Sequence, residues 1–384
     1  SFLILFPDDF IDTTKSIFYS STGLSNFYFL SQSGYFDNAS HFKPLLHTWS
    51  LGIEEQFYIL WPLTLIFFLT YFRVVKQVIL ILTFLALSFF ITLYVSFNGL
   101  PENIIGFFIK NSEMSLRTDS LQFYLLPFRS YEFLIGAALS FLPVISIKRE
   151  FIKIFLNLVG LILILFVCTS FDKETLFLSS LTIIPCLGAG LLIVTPPSNL
   201  LVRLGKVKVL KLIGKASYTW YLFHWPIFVL YRYVTGGNLT IIEQVSLFFC
   251  SLLISLFVYK RFETPLRTGN KNQPIISNKK IAVLVISFIC GFAFLQYNVS
   301  KNDGWLWRLN DSNISLIKNT MPRTGGHGFD RVGLLNKSYS GEPIDMFWYG
   351  DSHASHYANA IDSLFIKKND KVVHMTNIRS LGLP

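Results

Sequence analysis

Charge is scarce in this sequence. Asp, Glu, Lys and Arg make up only 15% of its 384 residues against 52% apolar types, and the mean hydropathy is +0.49. That balance excludes an ordinary water-soluble domain as the architecture of most of the chain. Cysteine is scarce too. Cys168, Cys186, Cys250 and Cys290 each fall in an apolar run, with no spacing suited to pairing or to a metal, so neither a disulfide nor a metal site is expected. An initiator Met, a charged n-region and a signal peptide are missing, and Ser1 to Phe6 read as the tail of a further span. The expectation is a chain that has lost its N-terminus. The net charge of +10 is spread over short loops between apolar runs and does not interleave with aromatics on one soluble face, which removes nucleic acid from the expected partners.

Long apolar runs are what the chain has in abundance. About 20 residues cross a hydrocarbon core of about 30 Å, and candidate spans occur near 53–72, 77–97, 121–145, 151–170, 175–195, 212–234, 240–260 and 281–297. The expected fold is an all-α polytopic membrane helical bundle over residues 1–297. Residues 14–34, apolar but studded with Ser, Thr and Asn, read as a surface-lying or re-entrant segment. The loops after residues 72, 145, 195 and 260 hold sixteen Lys and Arg, whereas the intervening loops hold three, Lys110, Arg117 and Lys173. Because basic loops stay in the cytoplasm, this bias places His47 to Glu55, and everything after about residue 298, on the far side.

The tail has a different character. Residues 298–343 read as a polar, turn-rich linker, and 344–384 as the start of an extracytoplasmic α/β domain. Met346 to Tyr349 has the composition of a buried strand, residues 353–366 carry apolar positions at helical spacing, and Lys371 to Met375 reads as the next strand. Some 40 residues do not close a domain of typical size, so the C-terminus is expected to be truncated as well.

Candidate chemistry lies in both parts. Gly350-Asp351-Ser352-His353 falls at the strand-to-helix turn, where glycine permits a tight backbone and the next helix offers free amides to an oxyanion. Ser352 is placed like a nucleophile, although the same triplet also serves as an ordinary turn and helix cap. A serine nucleophile needs a base and a group to orient that base. His353 points elsewhere on its helix, so the base is expected outside this chain.

Within the bundle, ionisable residues are expensive and each marks a site. His47-Thr48-Trp49-Ser50 leads into Glu54 and Glu55 at a helix start that favours carboxylates; a capped helix in the headgroup zone is the plainer alternative. Arg129 and Glu132 are spaced i,i+3 and can pair, for structure or for function. Pro226 frees the carbonyl of Leu222 beside His224, the mark of a cavity wall. Glu263 lies in the cluster Arg261-Phe262-Glu263-Thr264-Pro265-Leu266-Arg267, as a site or as a solvated ion pair.

These residues carry a resemblance. Pro44-Leu45-Leu46-His47-Thr48-Trp49-Ser50-Leu51-Gly52-Ile53-Glu54-Glu55-Gln56-Phe57-Tyr58-Ile59-Leu60-Trp61-Pro62 resembles the signature stretch of the membrane-bound acyltransferase-3 family. Phe128 to Ala137, Ser217 to Ile227 and Arg261 to Pro265 resemble its later landmarks in order, and Met346 to Ala354 resembles the first block of the SGNH hydrolase-like domain fused in one branch. The resemblance implies an O-acyltransferase, commonly an O-acetyltransferase, of the bacterial cytoplasmic (inner) membrane with an extracytoplasmic, periplasmic C-terminal part. Its donor would be cytoplasmic acyl-CoA, in particular acetyl-CoA, with no bound cofactor. Its acceptor would be an envelope polysaccharide: lipopolysaccharide, peptidoglycan or exopolysaccharide.

On this reading the acyl group enters the lipid-embedded bundle, is handled near His47, Glu54, Arg129, Glu132 and His224, and passes to Ser352 at the turn formed with Gly350 and Asp351. The family's first helix, with a basic residue and a His, would precede Ser1, and the later SGNH blocks with the Asp-x-x-His base would follow Pro384. The chain alone is therefore expected to be inactive. Two other readings are a transporter or flippase of an acyl donor or lipid-linked sugar, for which no inverted repeat is visible, and an extracytoplasmic carbohydrate esterase.

Overall fold

The computed structural model describes residues 4–32, 42–72, 74–98, 118–142, 146–170, 179–235, 239–268, 278–309, 346–350 and 373–377. The chain forms two compact units, Ser1–Gly304 and Trp305–Pro384.

In the first unit the apolar segments are helical because, in hydrocarbon, only bonds within the segment satisfy every backbone amide and carbonyl. The helices are α1 (Pro7–Ser21), α2 (Ser25–Gln32), α3 (Trp49–Tyr71), α4 (Val74–Asn98), α5 (Thr118–Tyr124), α6 (Leu126–Leu139) and α7 (Glu150–Ser170). They continue with α8 (Ile183–Val194), α9 (Asn199–Lys206), α10 (Lys208–Thr235), α11 (Ile241–Val258), α12 (Thr264–Thr268) and α13 (Asn278–Lys301). Among the described residues, five segments are long and apolar enough to cross a bilayer: Leu46–Tyr71, Lys76–Asn98, Glu150–Ser170, Ile241–Leu266 and Lys280–Lys301. The bent pair α8 and α9 adds a sixth if counted as one span. This is a multi-pass membrane bundle.

Two expected spans differ in detail. The one near 121–145 is broken at Leu125, whose backbone is extended, and Pro127 in the first turn of α6 has no amide with which to continue α5. The one near 212–234 is the continuous helix α10, whose Lys208, Lys211, Lys215 and Arg232 set it apart from the more apolar five.

The stretch read as surface-lying or re-entrant covers, over its described residues 14–32, the end of α1 and all of α2, helices about 22 Å and 12 Å long at 1.5 Å per residue and both too short to cross a bilayer. The chain reverses between them at Gly23, whose φ of +70° is a conformation that favours glycine. Tyr28, Phe29 and Leu30 of α2 then enter a core with Val95, Leu121, Tyr124, Leu125 and Phe128. At the start of α1, Tyr233 of α10 donates to Asp9 Oδ2 at 2.5 Å and accepts from the amide of Phe6 at 3.0 Å. Burial pushes the Asp9 carboxyl above the usual carboxylate range, against the Tyr233 bond that lowers it.

Helices α7 and α8 cross at Gly160 and Gly188. A Cβ on Gly160 would lie 2.8 Å from the Gly188 carbonyl oxygen, and one on Gly188 would lie 2.7 Å from that of Gly160. Small residues at such a crossing let two backbones touch, which is how helices gain contact in lipid. Gly188→Val is therefore expected to destabilise the unit by about 1–3 kcal/mol. Thermal unfolding in detergent checks this, and an unchanged midpoint would refute the backbone contact.

From α8 the chain turns by 91° into α9. The turn is fixed from α7, where Asn157 Oδ1 accepts the Ser198 amide at 2.9 Å and Glu150 Oε1 accepts the Asn199 amide at 2.5 Å. Leu200, Val202 and Leu204 of α9 are exposed beside Arg203 and Lys206. Polar groups that the sequence places after the α11 span are drawn back by a π turn, Tyr259–Glu263, in which the amide of Thr264 reaches the carbonyl of Tyr259.

In the second unit, β1 (Met346–Gly350) and β2 (Val373–Asn377) pair in parallel, Met346 opposite Val373 and Gly350 opposite Asn377. Both expected strands are present, the second displaced by two residues. The helix expected at 353–366 lies outside the described residues, as do Asp351 and Ser352.

Candidate active site

The site is built on the link into α3. Leu46–Thr48 forms a single 3-10 turn directly ahead of that helix. From one side Ser25 Oγ donates to the Thr48 carbonyl at 2.7 Å, and Ser20 Oγ lies 2.7 Å from Thr48 Oγ1. Beneath it, fully buried Asn26 donates to the Tyr124 carbonyl at 2.9 Å and accepts from Gln56 Nε2 at 2.8 Å. From the other side α10 supplies Trp225 Nε1 to the Lys43 carbonyl at 2.9 Å and the Tyr221 hydroxyl to the His47 carbonyl at 2.6 Å. The Tyr221 oxygen also lies 2.5 Å from Ser50 Oγ. The backbone of His47 is thus held by two sets of helices.

Its side chain is not. His47 is 8% exposed, and neither ring nitrogen has a hydrogen-bond partner. The Leu222 backbone, whose carbonyl Pro226 leaves without an amide, approaches the ring without reaching bonding geometry. The ring packs edge-on against Tyr221 at 5.2 Å and His224 at 5.6 Å. Buried polar groups are almost always paired, and leaving one unpaired costs about 1–3 kcal/mol. This unpaired, buried ring is what makes His47 a candidate for contact with a ligand.

His224 is oriented differently. Its Nδ1 lies 2.7 Å from the Tyr221 carbonyl and 3.2 Å from that of Trp220. Carbonyls only accept, so Nδ1 carries a proton, and the tautomer this fixes is the one whose Nε2 can act as a base. A base with a fixed tautomer therefore stands against an unsatisfied histidine.

Arg129 and Glu132 form a second cluster. Arg129 Nε donates to Glu132 Oε1 at 3.0 Å and Nη2 to Oε2 at 3.2 Å, with the side chains 16% and 17% exposed. Thr182 donates to Glu132 Oε1 at 2.7 Å, and its hydroxyl lies 2.5 Å from that of Tyr131. The Arg129 guanidinium also lies 4.9 Å above the Trp49 ring, which links this cluster to the turn carrying His47.

Glu54 is half-buried on α3, one turn beyond Ser50, and Glu55 packs against Gly23. Glu263, expected in a cluster with Arg261 and Arg267, is turned by the π segment to accept a short hydrogen bond from Thr219 in the middle of α10. Gly350 ends β1. Among the described residues no group of three or more His, Cys, Asp or Glu is placed to hold a metal ion. The sequence reading missed Tyr221, Ser50, Thr182 and Tyr131 as partners. Tyr221 was the detectable one, since it lies three residues before His224 and shares its helix face.

A family model described as an acyltransferase domain, acyltransferase-3, matches residues 2–260. O-acetyltransferase OatA of Staphylococcus aureus is 28% identical over 299 residues, 73% of this chain and 46% of that protein. Peptidoglycan O-acetyltransferase OatA of Listeria monocytogenes is 30% identical over 309 residues, 76% of this chain and 43% of that protein. An uncharacterized protein of Haemophilus influenzae is 34% identical over 200 residues, 51% of this chain and 76% of its own length. The chain thus spans less than half the length of the OatA relatives. No solved structure matches it. With His47, Glu54, Arg129, Glu132 and His224 all inside the matched region, the chain belongs to the acyltransferase-3 family.

Proposed function

We propose that the protein is an O-acetyltransferase that moves an acetyl group from cytoplasmic acetyl-CoA to a hydroxyl of an envelope polysaccharide. The names of the OatA relatives favour a cell-wall polymer, peptidoglycan in the Listeria case. The observation that carries the reading is buried His47 beside half-buried His224, one ring without hydrogen-bond partners and the other with its Nδ1 oriented by backbone carbonyls.

In this reaction the C–S bond of the thioester breaks and a C–O bond forms. His224 Nε2 takes the proton of the attacking hydroxyl, and coenzyme A leaves as a thiolate. The Arg129–Glu132 pair braces Trp49 and with it the turn that carries His47, while Glu54 lies one turn inward. A second transfer, through Ser352 with Gly350 and Asp351 shaping its turn, would split one hard step into two. The layout we propose is a membrane domain over 1–297, a linker over 298–343 and an SGNH-like domain beginning at 344. The bias of basic loops supports an inner-membrane protein with its C-terminal part outside the cytoplasm.

The full-length protein in proteoliposomes, given labelled acetyl-CoA and a glycan acceptor, is expected to place label on the sugar. Movement of donor without covalent change would replace this reading with a transporter. Acetate released from an acetylated glycan, with none transferred, would replace it with an esterase.

A further inference from the structure

The stretch from α9 into α10 is charged in a way that neither transfer chemistry nor topology requires. No Asp or Glu occurs between Glu174 and Glu243, yet Arg203, Lys206, Lys208, Lys211 and Lys215 lie close together within that interval. All five are exposed, and among the described residues none of them is in an ion pair. Two carboxylates near its ends are already engaged: Glu150 by the Asn199 amide at 2.5 Å and Lys153 at 3.5 Å, and Glu263 by the Thr219 hydroxyl. Like charges left together repel one another, so the patch is complementary to an anion supplied from outside the chain.

A basic loop is enough to hold a turn on the cytoplasmic side, but these residues sit on helices and follow helical spacing. Lys208, Lys211 and Lys215 are at i, i+3 and i+7 of α10, which places them on one face over its first two turns, about 10 Å from first to last. On α9, Arg203 and Lys206 share one face at i, i+3, while Leu200 and Leu204, both exposed, share another at i, i+4. Val207 alone separates the two helices in the chain. The 91° turn that ends α8 sets α9 across the direction of that helix. This is the attitude of an amphipathic helix lying in a membrane surface, with leucines toward the acyl chains and cations toward the headgroups. A soluble anion would neutralise the cations and leave Leu200 and Leu204 in water, whereas an anionic amphiphile covers both.

We infer that α9 and the first two turns of α10 form a docking surface for anionic phospholipid. The phosphates meet Arg203, Lys206 and the row Lys208, Lys211 and Lys215, and the acyl chains meet Leu200 and Leu204. Basic clusters of this size, on an amphipathic helix or beside a membrane span, are the pattern of acidic headgroup recognition. Long lysine side chains reach back to the phosphate layer, so Lys215 contributes together with Lys208. Occupancy of this surface does not depend on which group the protein transfers.

The test titrates the full-length protein in neutral detergent with phosphatidylglycerol, phosphatidylcholine or acetyl-CoA and counts bound molecules by native mass spectrometry. Wild type is expected to retain phosphatidylglycerol over phosphatidylcholine, and added salt should weaken that retention. Lys208→Gln, Lys211→Gln and Lys215→Gln should each weaken it about fivefold and together about a hundredfold, from the usual worth of one basic residue near an acidic membrane surface. The same three positions changed to Arg keep the charge and should bind as wild type does. The single variants carry the test if the triple Gln variant does not fold. Equal retention of the two lipids by wild type, or Gln variants that hold phosphatidylglycerol as wild type does, would overturn the docking surface. Acetyl-CoA retained in place of the lipid, and lost from the triple Gln variant, would overturn it too and give the patch to a soluble donor.

Discussion

His47→Phe is expected to lower acetyl transfer by about 10²–10⁴-fold, the range for removing a positioned acid–base group, while leaving the protein as stable as before or more so. The split follows from the environment of the ring. Neither nitrogen is bonded, and the ring touches Tyr221 and His224 edge-on, contacts that a phenyl ring of similar size keeps. Removing two buried and unpaired polar atoms takes away an unfavourable term, so the unfolding midpoint should hold or rise. A structural histidine behaves in the opposite way, losing stability and activity together. Activity of the full-length variant and its thermal midpoint in detergent decide between them; an active variant, or one that unfolds early, rules out a site held open for substrate.

The second large effect is expected at Arg129. Its side chain meets Glu132 through two parallel hydrogen bonds, and both side chains are mostly buried. Arg129→Met leaves the Glu132 carboxylate in the bundle with Thr182 as its remaining donor among the described residues, and breaking a buried pair in this way costs about 3–5 kcal/mol. It also removes the cation over Trp49, so the turn carrying His47 should loosen and activity should fall with stability. In the double variant Arg129→Met, Glu132→Met no charge is stranded, and most of the stability should return even though activity does not. The double-mutant cycle measures the coupling. A double variant no more stable than the single one would show that the pair is not what holds α6 in place.

Much of this architecture was readable because lipid enforces it. Every apolar run expected to span is helical over most of its described residues, since a backbone in hydrocarbon has no other way to pair its polar groups. The fold of α1 and α2 was not readable for the same reason in reverse. Ser25 and Asn26 look solvent-seeking in a hydropathy scan, yet they are buried and spend their donors on the carbonyls of Thr48 and Tyr124. His47, Arg129, Glu132 and His224 stood out one by one as costly residues in an apolar setting, and the i,i+3 pair followed from spacing. What the sequence did not disclose was that His47 and His224 meet, because their contact depends on how α10 docks against the link into α3. The position of Glu263 was hidden too, since a π turn is one extra residue in a helix and leaves no periodicity to read.

The right-angled turn between α8 and α9 supplies a depth gauge. If α8 stands across the bilayer, α9 lies along its surface, with Arg203 and Lys206 among the headgroups and Lys208 at the first step of α10. If α10 also runs parallel to α8, then at 1.5 Å per residue Thr219 sits about 16 Å below that surface and His224 about 24 Å, in a hydrocarbon layer about 30 Å thick. The Glu263 carboxylate is therefore near the midplane, and the histidines are in the third of the membrane remote from α9. On the proposed reading, a thioester arriving from the α9 surface has to be threaded through most of the bilayer, which selects a donor whose reactive end is carried on a long, slender, flexible arm.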